Sequence, residues 1–219
     1  MTLVPTSSTE RRSRPKKSTG SRRDDLIAIA AEVFAEQGFK ATTVRQIGDA
    51  AGVLSGSLYH HFESKESILD ELLSSYLQQL IASYESIISS DASAREKLEQ
   101  MIGVAFRSVE THRAAAVVMQ NERHELTRLP RFAYLPQSEA RVAEIWIAAI
   151  EEAIGDGDIR DDLPAPMIYR FLRDAIWVSV RWLRPGGPRS VDEISATYVS
   201  LLFDGVGARD SGETTADSQ

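Results

Sequence analysis

Apolar side chains recur every three or four residues through most of this 219-residue chain. Such spacing gives a helix one apolar face, and no stretch shows the alternating pattern of a strand. The spacing predicts a first helix from Leu26 to the breaker Gly38, a second from Val44 to Ala51 and a third from Ser57 to Phe62. Longer helices are predicted over 66–88, 95–110, 114–127, 137–154, 165–183 and 191–206. The chain is therefore expected to be all-α, with about nine helices.

Length and composition predict two unequal folded parts. A chain of 219 residues can hold a small module joined to a larger helical body. We expect a flexible basic arm over 1–21, a three-helix module over 22–67, a larger body over 68–207 and a disordered tail over 208–219. The absence of cysteine excludes disulfides, thiolate metal sites and cysteine nucleophiles.

The sequence also bears on the compartment. No apolar run approaches the roughly 20 residues that cross a bilayer. The first residues are basic and lack the apolar core of a signal peptide. We therefore expect a cytoplasmic protein with no membrane partner.

Charge is distributed unevenly along the chain. Residues 1–23 carry seven Lys and Arg side chains against Glu10 alone, a net +6, which leaves −13 on the rest of a chain whose overall charge is −7. A basic arm before an acidic body suits a protein that presents one end to nucleic-acid phosphates. A solvated leader rich in Ser and Thr accounts for the same composition equally well.

The short helices carry the most specific signals. Thr43 and Gln46 form a capping box, in which the threonine oxygen accepts a backbone N–H and the glutamine reaches back to the cap. Gly52 ends the second helix, and a tight turn leads into the third. Two short helices joined by a glycine turn and packed on a first helix are the helix-turn-helix arrangement of DNA-binding proteins.

Residues 22–67 closely resemble the DNA-binding module of the TetR family of bacterial regulators. The similar runs are TTVRQI at 42–47, AGV at 51–53 and GSLYHHFESKE at 56–66. The resemblance implies an all-helical homodimer that binds palindromic double-stranded DNA through the outward side of the third helix. Thr43 and Lys65 would bind phosphates at helix N-termini, and Arg45 is the best candidate for a bidentate guanine contact. The DNA-binding residues that it implies are Arg22, Arg23, Thr43, Arg45, Ser55, Gly56, Ser57, Tyr59, His60 and Lys65.

Some positions of this module also fit a purely structural role. The family commonly has a serine at the cap of the third helix where this chain has Leu54, and Ser55 could take that role. Packing beneath the helix or simple exposure would account for His61, and Tyr59 could be an aromatic at the edge of the core. Adjacent residues on a helix point about 100° apart, so His60 and His61 predict no metal site.

The C-terminal part of the chain carries a cationic stripe. At about 100° per residue, Arg173, Trp177 and Arg181 stand one above another on a helix, with Arg170 beside them. A tryptophan at the centre of an open cationic face would be unusual, so we expect burial. Buried guanidinium groups need partners, and Asp174 is the only acid on the stripe. We predict that the four residues bind an anionic small-molecule effector, such as a carboxylate, thioester or phosphate.

These arginines could equally bridge acidic side chains of a neighbouring helix or subunit, such as Glu110, Glu122 or Glu125. The body, however, resembles an actinobacterial branch of the TetR family that represses cholesterol catabolism. That resemblance implies control of genes that degrade the last two steroid rings, and an effector that is the coenzyme A thioester of an indanedione propionate. No resident cofactor is expected. The similar runs are PRFAY at 130–134, YRFLRD at 169–174, WVSVRW at 177–182 and RPGGP at 184–188.

Helices 165–183 and 191–206 are the predicted dimerisation pair, packed against their symmetry mates as a four-helix bundle. An effector that favours another spacing of the two DNA-binding modules would then loosen their grip on both half-sites. An acyl-CoA-binding enzyme or carrier is the rival interpretation, but the chain shows no nucleophile elbow, catalytic triad or phosphate-cradling loop, so we assign no catalytic residue. An activator with the same fold would share every feature described so far.

Overall fold

The structure, a computed structural model, describes residues 19–184 and 186–205, with side chains from Arg22 onward. Most of the predicted arm and the whole tail over 208–219 lie outside the described residues. The described residues contain no strand, which confirms the all-α prediction. Their helices are α1 (Thr19–Gln37), α2 (Val44–Ala51), α3 (Ser55–Tyr59), α4 (Lys65–Ile88), α5 (Ala94–Thr111), α6 (Arg113–Leu126), α7 (Leu135–Gly155), α8 (Ala165–Val178) and α9 (Val191–Asp204).

Local capping signals place the starts of several helices. Four helices begin with a reciprocal capping box, which satisfies two backbone N–H groups that the first turn would leave without partners. The pairs are Thr43 with Gln46, Ser64 with Ser67, Ser93 with Glu96, and Ser190 with Glu193. α1 begins at Thr19, so the last three residues of the predicted arm are helical. α3 begins two residues before its predicted start and ends at Tyr59.

α8 ends earlier than predicted. The helix stops at Val178, and a 3-10 turn over Ser179–Arg181 follows instead of further α-helix. Arg113 of α6 donates hydrogen bonds to the carbonyls of Val180 and Leu183, the second at 2.9 Å, and so holds this segment against α6. Because a 3-10 turn has about 3.0 residues per turn instead of about 3.6, Arg181 does not continue the line of Arg173 and Trp177 on α8.

The apolar side chains form two cores joined along α4 and α6. One core seals α1, α2 and α3 and continues into the N-terminal part of α4, the middle of α6 and a 3-10 turn over Pro130–Phe132. The other lies among α4, α5, α7, α8 and α9. The predicted boundary after residue 67 therefore falls inside α4, which both parts share. None of the described helices is long and apolar enough to span a membrane.

Candidate DNA-binding surface and ligand cavity

α2 and α3 form the predicted helix-turn-helix. Gly52 has φ +65°, a left-handed conformation that favours glycine, and it turns the chain out of α2. Gly48 lets the turn approach α2, because an added Cβ would stand 3.0 Å from the carbonyl oxygen of Val53. Ile47 and Leu58 are buried and anchor the two helices on α1 and α4. This packing leaves one side of α3 free for a partner.

Most of the predicted DNA contacts share that free surface. Arg45 is 85% exposed, and its Nε lies 3.9 Å from Asp49, a loose pairing that leaves the guanidinium available. Thr43 has its hydroxyl engaged in the capping box, where it donates to Gln46 Oε1 at 2.8 Å. The exposed positions among the predicted contacts are Thr43, Arg45, Gly56, Ser57, Tyr59 and His60, and Ser55 and Arg22 are half-buried.

Arg23, one of the predicted DNA contacts, is engaged within the protein itself. Its Nε donates to Glu71 at 2.9 Å, and its other nitrogens donate to the second Glu71 oxygen and to the carbonyl of His61. The guanidinium also lies 4.2 Å from the centre of the Phe62 ring. The hydrogen bond to Glu71 raises the pKa of Arg23, against the opposing effect of desolvation. The side chain therefore fastens α1 to α4, 48 residues further along the chain.

Lys65 is similarly occupied by the protein itself. Its Nζ donates to the carbonyls of Phe39 and Thr42, both at 2.8 Å, and more weakly to Lys40 at 3.3 Å. The ammonium also lies 4.6 Å from the centre of the Phe39 ring. A phosphate contact at this residue would therefore come from its backbone N–H at the start of α4 rather than from its ammonium group.

Leu54 occupies the cap position of α3, and no side chain replaces the missing cap. Ser55 is the first helical residue, so it does not take the role considered for it. The helix has no side-chain cap hydrogen bond, although the backbone N–H of Ser57 donates to the carbonyl of Leu54 at 2.8 Å. The Leu54 side chain itself is 82% exposed.

The larger part of the protein encloses a cavity of about 480 Å³ between α4 and α8. Its interior is mainly apolar and aromatic: Tyr84 of α4 packs edge to face against Trp146 of α7, and Tyr76 of α4 also lines the cavity. Burial raises the pKa of both phenols, so they remain neutral hydrogen-bonding groups. A flat, largely apolar molecule with a few polar atoms would suit this interior.

Four charged side chains line the same cavity and remain partly open to solvent, and we call them the charged rim. Arg173 pairs with its neighbour Asp174 at 2.7 Å, and Arg123 of α6 forms a bidentate pair with Glu139 of α7. The hydrogen bond to Glu139 raises the pKa of Arg123. Both cations are thus balanced within the rim, and an anionic ligand would compete with Asp174 and Glu139 for them.

The structure brings together only half of the predicted effector-binding residues. Arg173 and Trp177 line the cavity, whereas Arg170 is exposed and lies outside the lining. Arg181 also lies outside it, because the turn after α8 changes its direction, and its Nε donates to Gln120 at 3.3 Å. Within the single chain, the acidic residues considered as alternative partners do not pair with this stripe: Glu125, for example, bridges Arg128 at 3.1 Å.

Sequence reasoning missed the lining that comes from other helices. Arg123, Glu139, Tyr76, Tyr84 and Trp146 lie on α4, α6 and α7, and each looks like an ordinary member of its own amphipathic pattern. The only signal in the sequence was the spacing of Tyr76 and Tyr84, eight residues apart and so on one face of α4. Among the described residues, no group of three or more His, Asp or Glu is placed to hold a metal ion.

A helix-turn-helix surface and a ligand-sized cavity in one all-helical chain define a one-component DNA-binding regulator. Comparisons with known proteins agree. The family described as "Bacterial regulatory proteins, tetR family" matches residues 26–72, and "Tetracyclin repressor-like, C-terminal domain" matches residues 91–206. The chain belongs to the TetR family, and it is a transcriptional repressor rather than an enzyme.

Its relatives confirm the resemblance to one branch of that family. The chain is 43% identical over 186 residues, 85% of its own length and 93% of the relative's, to the HTH-type transcriptional repressor KstR2 of Mycobacterium tuberculosis. It is also 43% identical to KstR2 of Rhodococcus jostii, over 84% of this chain and 91% of that one. The structure of the ketosteroid transcriptional regulator KstR2 of Mycobacterium tuberculosis matches with a TM-score of 0.82 at 41% identity, over 90% of this chain and all of the other.

Proposed function

We propose that this protein is a cytoplasmic homodimeric repressor of steroid-catabolism genes, which binds a palindromic operator and releases it when a coenzyme A thioester enters the cavity. The observation that carries the proposal is an apolar cavity with a charged rim, built on the same helices that support the helix-turn-helix. The similarity to KstR2, a ketosteroid transcriptional regulator by name, supports the choice of genes.

The cavity fits the hydrophobic half of such a thioester. A volume of about 480 Å³ lies in the usual range for small-molecule sites. Aromatic walls suit a fused-ring body, and Arg173 and Trp177 at the rim suit the polar chain that leads from it to the thioester. The nucleotide of coenzyme A would remain outside the cavity. From the family resemblance, we assign the acyl group as an indanedione propionate.

Release follows from the packing between the cavity helices and the DNA-binding module. α6 contributes Met119 and Arg123 to the cavity and packs on α1. Both half-sites of a palindrome can be occupied only when the two recognition helices lie about 34 to 36 Å apart. A ligand that favours another position of α6 changes that distance, and a coupling of about 1 to 3 kcal/mol alters operator affinity roughly 5- to 150-fold.

The direct test is binding to the DNA upstream of the protein's own gene, measured by fluorescence anisotropy with and without acyl-CoA thioesters. We expect tight binding that weakens steeply with salt, as phosphate contacts require. A thioester of a fused-ring propionate should release the DNA, and free coenzyme A should not. If the affinity for the duplex were the same with and without every thioester tested, the proposed ligand control would be wrong.

Arg45→Ala should lower operator affinity about 5- to 150-fold for each half-site, because a bidentate arginine–guanine contact contributes about 1 to 3 kcal/mol. The side chain is almost fully exposed, so the fold should be unaffected. Arg128→Ala is the matched control, since Arg128 is an exposed arginine in the turn after α6 and pairs with Glu125. Equal affinities of the two variants in the anisotropy assay would remove Arg45 from the recognition surface.

An exposed apolar face on α8 and α9 supports the homodimer. Phe171 of α8 is 70% exposed in the single chain. A patch of this kind on an isolated subunit marks a protein contact. Its exposed members are Met167, Phe171, Val178, Trp182 and Leu201.

Phe171→Glu should therefore convert the protein to monomers, because a carboxylate would be buried without a partner at the subunit contact. Sedimentation equilibrium measures the change in mass. Tyr59→Glu is the control: Tyr59 is 58% exposed on α3, which packs in the other core, and its replacement should leave a dimer. A wild-type protein that sediments as a monomer would contradict the proposal itself.

A further inference from the structure

Leu54 is an unusual residue for its position. Its side chain is 82% exposed, the most of any large apolar side chain that the structure describes. It occupies the cap of α3, where Ser, Thr, Asp and Asn are preferred because their oxygens accept a backbone N–H. Leucine offers no such oxygen, and no neighbouring side chain supplies one. Leu54 therefore contributes neither a cap nor buried apolar area to the folded chain.

The surroundings of Leu54 make its side chain stand out from the surface. The next three residues are Ser55, Gly56 and Ser57, all with small side chains or none. An added Cβ at Gly56 would meet nothing within 4 Å, so the surface beside Leu54 is low and open. A branched apolar side chain thus projects from the start of α3, on the side where small residues permit a close approach to a partner.

The start of a recognition helix is the part that contacts base edges in the major groove. Among the groups on those edges, the C5-methyl of thymine is the apolar one, and apolar side chains recognise it by contact. The polar residues of this surface have donors and acceptors for other edge groups and for phosphates. The side chain of Leu54 has no hydrogen-bond donor or acceptor, so it can make only apolar contacts.

We infer that Leu54 is a specificity-determining residue that packs against a thymine methyl in each half-site of the operator. Burial in the complex gives the leucine the apolar contact that it lacks in the free protein. The operator should therefore contain a thymine at one fixed position of each half-site, facing the start of α3. This inference rests on the operator binding proposed above.

The test replaces thymine by uracil, which removes the methyl group and leaves base pairing unchanged. Each thymine of the upstream duplex is substituted in turn, and affinities of wild type and Leu54→Ser are measured by anisotropy. For wild type we expect one position per half-site at which the loss of the methyl weakens binding about fourfold, and about fifteenfold when both half-sites are changed. Leu54→Ser should bind the thymine and uracil duplexes equally.

A stability measurement separates recognition from a structural role. Leu54→Ser supplies a cap oxygen and should raise the melting temperature of the free protein, whereas Leu54→Ala, which supplies none, should not. A lower melting temperature for Leu54→Ser would mean that the leucine serves the fold, and the inference would be wrong.

The two proposals fail in different ways. If wild type binds no upstream duplex, operator binding is wrong and the inference falls with it. If wild type binds but no uracil substitution changes its affinity, or if Leu54→Ser shows the same sensitivity as wild type, only the inference falls.

Discussion

Arg173→Gln should leave operator binding unchanged and weaken release by the thioester at least about tenfold, because the variant loses a charge-assisted contact to the ligand. Arg173 lines the cavity from α8, and its only ion-pair partner among the described residues is the adjacent Asp174. The substitution therefore breaks no link between helices, and its effect should fall on the ligand alone. Titration of the thioester into a preformed protein–operator complex, followed by anisotropy, measures the concentration needed for release.

Arg170→Gln is the matched control for this prediction. Arg170 is one helical turn from Arg173, carries the same charge and is exposed outside the cavity lining. It should need the same concentration of thioester as wild type. The cavity would be the wrong site if Arg173→Gln released DNA as readily as wild type, or if both variants lost the response equally, since a general loss of positive charge would then account for the result.

The sequence predicted the helix-turn-helix well because its signals are local. Thr43 with Gln46 and the left-handed Gly52 set the bounds of α2 within one short stretch of chain, and the structure places α2 at its predicted bounds. The resemblance to the TetR family also predicted which side of α3 faces outward. The packing of Ile47 and Leu58 agrees with that orientation.

Long-range contacts account for what the sequence did not predict. Arg23 and Lys65 were assigned to DNA from their positions in the motif, but their partners Glu71 and Phe39 are 48 and 26 residues away. A helical pattern gives the direction of a side chain and says nothing about which distant group lies there. These intramolecular contacts hold the elements of the DNA-binding module together.

The lining of the cavity also combines residues that the sequence predicted with residues that it did not. Arg173 and Trp177 are four residues apart on one helix, so periodicity alone placed them on one face, and both line the cavity. Arg181 continues that spacing in the sequence, but the α-helix ends before it and a 3-10 turn follows. Arg113 donates a hydrogen bond to the carbonyl of Val180 in this turn, although the two residues are 67 positions apart in the sequence. The rest of the cavity is assembled from α4, α6 and α7, which only the tertiary structure brings together.

Phe132 connects the segment between α6 and α7 with the core of the DNA-binding module. This ring is fully buried in the 3-10 turn between α6 and α7, and it meets the Phe39 ring edge to face at 6.4 Å. Phe39 in turn contacts Phe34 of α1 at 5.3 Å. The segment that joins two cavity helices is therefore packed in the core of the DNA-binding module.

Phe132→Ala should lower the free energy of unfolding by about 3 to 5 kcal/mol, because it removes a fully buried aromatic ring and leaves a cavity between the two parts of the protein. Urea unfolding, at one protein concentration because the protein is proposed to be a dimer, measures the loss. Leu129→Ala, three residues away and partly exposed, should change stability by less than about 1 kcal/mol.

If Phe132 also transmits the signal, a Phe132→Ala protein kept folded at low temperature should bind the thioester like wild type, as monitored by tryptophan fluorescence, yet release operator DNA less completely. If the variant has lost the expected stability but the thioester still releases DNA from it as from wild type, Phe132 supports the fold without coupling the cavity to the DNA-binding module. The coupling would then depend on the contact between α6 and α1 alone.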